Sequence, residues 1–377
     1  MKLNKQYKYI NPEMLERIFL IQNPSNMQRC NSAAIDTLVS LAPKGCKVQR
    51  DGDGNVMISR GNGKRPYYLA HLDQVHDYAP YMRLHCSKQG VLHASGGDNE
   101  QVGVGGDDKC GIYAAMTMLH LLPNVSVVFV RDEEVGCQGS STVPLKWFRN
   151  AQFVIQCDRN NHSMDVISNT NGMTCASEEF VSAVLELPAC GSAGHTENTG
   201  SITDVGELAS RDLHISMINL SSGYHHAHTA REIVILEELS IACAVCYEAG
   251  TLLNHKVWKH KPSSSWGRSY GGYTGSYGSY GSYWGDEYDN LTAPKAGGES
   301  KLQAALRTME EDGGEKLILE DEIDDGFTQR DSYTREEVIE YLEDHGYDRT
   351  WDALDRFDNR DLEACALDCG YSIRIVG

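Results

Sequence analysis

The 377-residue chain has no apolar run approaching the roughly 20 residues that a membrane span needs, and its first ten residues, MKLNKQYKYI, hold no apolar signal core. The expectation is no membrane partner and a cytoplasmic setting. Positive charge is also short: 34 Lys and Arg stand against 53 Asp and Glu, a net charge of −19. Nucleic-acid affinity rests mainly on Lys and Arg neutralising phosphates, so a nucleic-acid partner is not expected either. The imbalance is uneven, since residues 301–377 carry 22 acidic and nine basic residues. Neither GxxxxGK followed by Ser or Thr, nor a GxGxxG opening a helix, is present, which removes the usual phosphate-cradling loops. Twelve cysteines are scattered among apolar neighbours, and Cys243-Ala-Val-Cys246 has no second CxxC to complete a zinc site. They read as reduced core residues.

What the chain does hold is a series of apolar segments that each deliver acids or a histidine. Residues 126–130, SVVFV, are short and β-branched and read as a buried strand that hands on to RDEEVGCQG at 131–139. Neighbouring residues at a strand exit point in different directions. One of Glu133 and Glu134 can therefore hold a cation while the other faces a water beside it, the layout of metal-assisted hydrolysis. Residues 67–70 deliver His71-Leu72-Asp73, where His71 and Asp73 share a face. Asp73 can then accept the second imidazole N–H of a metal-bound His71. Residues 153–157, FVIQC, end in Asp158. Asp107 and Asp108, within GVGGDDKCG at 103–111, precede a helical run at 112–122, where N–H groups and the helix dipole favour anions. GYHHAHTARE at 223–232 brings His225, His226 and His228 ahead of a last long helix at about 237–253.

Between these segments, Asn11-Pro12 is an N-cap with proline at the first helical position, and a second helix is expected from about 25 to 41. A hairpin spans 47–60 around DGDGN. A short helix is expected at 178–187, followed by a Gly/Ser/Thr/Asn loop that contains His195. A helix opens at Thr203-Asp204, and 214–218 is strand-like. The pattern predicts an α/β fold, three layers α/β/α around a central mixed, mostly parallel sheet, with a site beyond the strand carboxyl ends. It assigns residues 1–260 to a catalytic domain and 261–300, rich in Gly, Ser and Tyr, to a flexible linker. Residues 301–377 read as an acidic, mainly helical module, with a capping box at Thr334-Arg-Glu-Glu337. That module carries no recognisable chemistry; its acidic helices are either a solvated face or a docking surface for a basic protein partner.

Taken together, AHLDQV (70–75), GGDDKCG (105–111), DEEVGCQGS (132–140), CD (157–158) and HTARE (228–232) resemble, in order and spacing, the co-catalytic dizinc exopeptidases. That family includes peptidase T and related aminopeptidases and dipeptidases, and the resemblance covers residues 1–255. It implies two divalent ions, zinc foremost, with cobalt or manganese as alternatives. Asp107 would bridge them, His71 and Asp158 would complete one site, and Glu134 and His228 the other. Asp73 would orient His71, and Glu133 would be the general base. His228 is preferred to His225 or His226 because the family's last ligand lies four residues before a glutamate, here Glu232.

The implied reaction is aminopeptidase or di/tripeptidase hydrolysis of short peptides by a hydroxide between the ions, with His195 a candidate to help hold the oxyanion. Two departures stand out. Only 45 residues separate Asp158 from Asp204, too few for the lid domain that many members insert there, which brings the chain nearer to the single-domain aminopeptidases. Gly106 stands where alanine is usual, a mild change by sequence alone. The competing expectations are a metal-dependent deacylase or amidohydrolase acting on N-acyl amino acids, and a non-catalytic scaffold that keeps the fold.

Overall fold

The three apolar runs that end in acids or histidine form neighbouring strands of one sheet in a computed structural model, which describes residues 7–97, 99–161 and 163–263. The strands are β1 (Lys47–Arg50), β2 (Val56–Arg60), β3 (Arg65–His71), β4 (Arg83–Cys86), β5 (Val91–Ser95), β6 (Gln101–Val102), β7 (Val125–Val130), β8 (Ala151–Arg159), β9 (Asp165–Thr170), β10 (Met173–Thr174), β11 (Thr196–Gly200), β12 (Met217–Ser221), β13 (Tyr224–His225) and β14 (Ile233–Ile235). The helices are α1 (Pro12–Phe19), α2 (Gln28–Leu41), α3 (Gly106–Leu121), α4 (Gln138–Thr142), α5 (Glu178–Leu185), α6 (Pro188–Ala193), α7 (Asp204–Ser210) and α8 (Leu236–Leu252).

The main sheet has the order β1-β2-β7-β3-β8-β12-β9-β10, with β11 also paired to β9. Its middle, β7-β3-β8-β12, is parallel, and the pairs β1-β2, β2-β7, β12-β9 and β9-β10 are antiparallel. Burial on both faces explains the near-continuous apolar runs. Along β3, Tyr68 and Ala70 enter one core while Tyr67 and Leu69 enter another. In β7 the same division sends Val127 and Phe129 to the first core and Val128 and Val130 to the second. Residues of α1, α3 and α8 fill the first core; α7 and a 3-10 turn at Leu145–Asn150 fill the second. The three-layer α/β/α arrangement follows. A smaller sheet, β13-β14-β5-β4 with β6 on β5, lies beside it.

Local signals act as expected at α1, where the Asn11 side chain accepts from the Met14 N–H and Met14, Leu15, Ile18 and Phe19 are buried. Elsewhere neighbours override them. Helix α2 starts at Gln28 rather than near residue 25, because the Ser25 hydroxyl donates to Asp73 Oδ2 (2.8 Å) instead of capping. The expected strand at 214–218 is shifted to β12, whose limits follow its pairing with β8, Met217 opposite Val154. The expected loop around His195 is instead the short helix α6 followed by β11, an edge strand whose TENTG sequence has no apolar alternation to announce it. The expected linker beyond Ser263 and the helical module at 301–377 lie outside the described residues.

Candidate metal centre

Because β3, β7 and β8 run parallel, their carboxyl ends bring His71, the Glu133-Glu134 loop and Asp158 to the same edge. Helix α3 begins beside them with Asp107, and the turn after β13 adds His228. One donor atom from each of His71, Asp107 and Asp158 lies within 4.8 Å of the others, and the same holds for Asp107, Glu134 and His228. Asp107 belongs to both groups. His71 Nε2 is 2.9 Å from Asp107 Oδ1 and 3.6 Å from Asp158 Oδ1. His228 Nε2 is 3.3 Å from Asp107 Oδ2 and 3.1 Å from Glu134 Oε1. Glu133 stands outside both triads, though close enough to group with His71 and Glu134. Of the other two histidines, His225 pairs with Glu238 at 2.7 Å and His226 is exposed.

Asp73 lies behind this edge and is nearly fully buried. Its main-chain oxygen is the nearer partner of His71 Nδ1, at 3.0 Å, with the carboxylate Oδ1 at 3.4 Å. The carboxylate itself accepts from the main-chain N–H groups of Glu133 (2.9 Å) and Glu134 (3.3 Å) and from Ser25. Asp73 thus ties the His71 segment to the Glu-Glu loop, a wider task than the sequence suggested. Asn55 and Asn26 hold the start of that loop: Asn55 Oδ1 accepts the Arg131 N–H (3.1 Å), and Asp132 Oδ1 accepts the Asn26 N–H (2.7 Å).

Several supporting residues escaped the sequence reading. Gln156, fully buried in β8, donates to Asp158 Oδ2 and Asp204 Oδ2, each at 3.1 Å, and accepts from the Thr203 hydroxyl (3.0 Å) and the Val205 N–H (3.2 Å). Asn219 of β12 accepts the Asp158 N–H (2.8 Å) and donates to its carbonyl (2.7 Å). The signal was present, since Gln156 interrupts an apolar run two residues before Asp158 and so shares its face. Tyr224 is buried with its hydroxyl 3.4 Å from Asp158 Oδ1. A Cβ at Gly106 would fall 2.6 Å from Tyr224 Cβ and 2.8 Å from Val234 Cγ2, so the missing methyl is required here. His195 is buried, and neither of its ring nitrogens has a hydrogen-bond partner among the described residues.

The electrostatics are those of acids crowded without enough countercharge. Burial raises Glu133 well above the usual carboxylate range, with Asp158, Asp204 and Glu134 adding to it against the pull of His71. Burial and then Asp107 push Asp158 up to about 8. Burial also lifts Asp204 to about 6. The two histidines are raised as well, for the reverse reason. Burial would lower His71, but the carboxylates of Asp107, Asp158 and Asp73 hold it well above its ordinary value. Asp107 and Glu134 push His228 up to about 11. Among the described residues, no Lys or Arg forms an ion pair with Asp107, Glu133, Glu134 or Asp158. Lys109 is buried nearby with its Nζ on the carbonyls of Phe19 and Val104, and burial brings it down to about 7. Carboxylates crowded in this number at buried and half-buried positions call for a further positive charge, and mixed imidazole and carboxylate donors suit divalent ions such as zinc.

No family model and no curated protein matches the chain. Solved structures do match. The aminopeptidase PepT from Bacillus cereus ATCC 10987 superposes with a TM-score of 0.53 at 12% identity, over 64% of this chain and 98% of that one. A tripeptidase from Staphylococcus aureus subsp. aureus Mu50 gives 0.52 at 12% identity, over 65% of this chain and 98% of its own. What this chain shares with these two peptidases is their α/β fold.

Proposed function

We propose that the chain is a metal-dependent exopeptidase, an aminopeptidase or di/tripeptidase, that hydrolyses short peptides at this centre. The observation that carries the reading is the pair of donor triads sharing Asp107, with Glu133 left over beside them. His71, Asp107 and Asp158 would hold one divalent cation, and Asp107, Glu134 and His228 a second, zinc being favoured by the donor set. When bound, such ions supply Lewis acidity toward the scissile carbonyl and lower the pKa of water.

The chain's own residues do the rest. The Glu133 carboxylate takes a proton from the attacking water and returns it to the departing amine. Asp73, bonded to the main-chain N–H groups of Glu133 and Glu134, keeps that carboxylate facing the ligands while it stays off them.

The test is metal analysis combined with a panel of aminoacyl-anilides, short peptides and N-acyl amino acids, with and without chelator. Glu133→Ala should purify with both ions and cleave nothing, whereas activity within about tenfold of the parent would refute its role. Asp107→Ala should lose metal and stability together; retention of both ions would tell against a bridging carboxylate. Chelator-sensitive release from N-acyl substrates alone would point to a deacylase, and bound metal with no release at all to a scaffold.

A further inference from the structure

His228 sits in a turn whose backbone is left-handed at His226 (φ 55°) and at His228 itself (φ 63°). Residues other than glycine hold that conformation only with support from their surroundings. Part of the support is local: the Thr229 hydroxyl donates to the His226 carbonyl (2.7 Å), and the Glu232 N–H to the Thr229 carbonyl (3.1 Å). The remainder comes from across the site. Glu232, which closes the turn, is fully buried. Its Oε2 accepts the Gly105 N–H at 2.6 Å and lies 2.8 Å from His76 Nε2, while Oε1 accepts the Asp107 N–H at 3.0 Å. One carboxylate therefore joins the His228 turn, the main chain at Asp107 and the segment that follows His71 and Asp73.

We propose that Glu232, seated against His76, is a positioning residue that sets Asp107 and His228 at the separation a shared cation requires. The proposal rests on the reading of those two residues as cation ligands. A carboxylate is needed because three N–H groups converge on two acceptor oxygens. An amide offers one acceptor and would turn its own N–H₂ on at least one of the three. The chain is built around the pair: a Cβ at Gly103 would fall 2.0 Å from His76 Cε1, so only a bare backbone there lets the imidazole lie across it. Groups that orient ligands from behind characteristically change metal affinity by about 10–100-fold when removed.

The experiment uses the full chain, stripped with chelator and titrated with Co²⁺ while the visible absorption and the heat unfolding of each metal-free protein are followed. Wild type should take up two Co²⁺. Glu232→Gln and Glu232→Ala should each bind the ion held with His228 about tenfold or more weakly and alter the absorption envelope. His76→Phe keeps a ring over Gly103 and removes the Nε2–H that faces Glu232; it should fold as wild type does and weaken binding by more than about twofold. If the Glu232 variants fold and bind Co²⁺ within about twofold of wild type with an unchanged spectrum, the assignment is overturned. Should they fail to fold, His76→Phe decides by the same criterion. Absence of Co²⁺ uptake by wild type would overturn the reading of the metal centre and this proposal with it, whereas uptake unaffected by the variants would overturn this proposal alone.

Discussion

A methyl group added at position 106 would collide with Tyr224 and Val234, two side chains that close over the start of α3. By sequence alone the glycine looked like a mild exchange for alanine; in the fold its missing Cβ is the space that Tyr224 occupies. Overpacking a filled interior typically costs about 1–3 kcal/mol. Gly106→Ala should therefore lower the unfolding free energy read from urea denaturation by about 1–3 kcal/mol, and an unchanged midpoint would mean that Tyr224 yields freely. Ser25 teaches the converse. It has the chemistry of a helix cap, yet its hydroxyl serves the carboxylate of Asp73, 48 positions away. Local chemistry made the residue eligible for a hydrogen bond but did not select the partner.

At the scale of elements, β8 is the instructive case. Its apolar residues and its terminal Asp158 were legible, because a short run rich in Phe, Val and Ile has few other uses. The function of Gln156 was not, since it depends on β12 and α7 arriving from more than 40 positions downstream to present Asn219, Thr203 and Asp204. Gln156→Leu is close in volume but leaves the Val205 N–H without its partner and takes from Asp158 Oδ2 the nearer of its two donors, the Thr203 hydroxyl at 3.4 Å being the other. It should weaken binding of the ion at the His71 site by about 10–100-fold, read by competition with a chelating dye. Wild-type affinity in that variant would show that Asn219, Thr203 and Tyr224 hold Asp158 without it. Strand β11 was missed for a related reason: its residues are exposed and polar, and only pairing with β9 makes them a strand.

For the whole molecule, the titration of two half-buried histidines sets a pH dependence that is separable from the metal centre. His85 and His93 face each other across β4 and β5, with ring centroids 5.0 Å apart. Burial, with the adjacent His93 and Arg83, brings His85 down to about 3, and burial brings His93 down to about 4. In an unfolded chain both titrate near the ordinary value of about 6.5. As pH falls below that value the unfolded state binds protons first. Stability is then fully present above about 6.5 and drains away as pH drops toward about 4 and then about 3. His93→Phe should flatten the decline, seen as a smaller difference between urea midpoints at pH 7 and pH 4.5. An identical decline in both proteins would place the effect elsewhere.

By itself the sequence determined which segments are buried and how they alternate, because period and side-chain type act over a few residues at a time. It also placed a histidine or a carboxylate at the exits of three apolar strands. Only the tertiary structure decided which of these meet. The hydrogen bond from the Asp107 N–H to Glu232 closes a loop of 125 positions, and the one from His71 to Asp107 a loop of 36. Such distances follow from parallel strand pairing and helix packing, which local pattern permits and the assembled sheet alone makes definite.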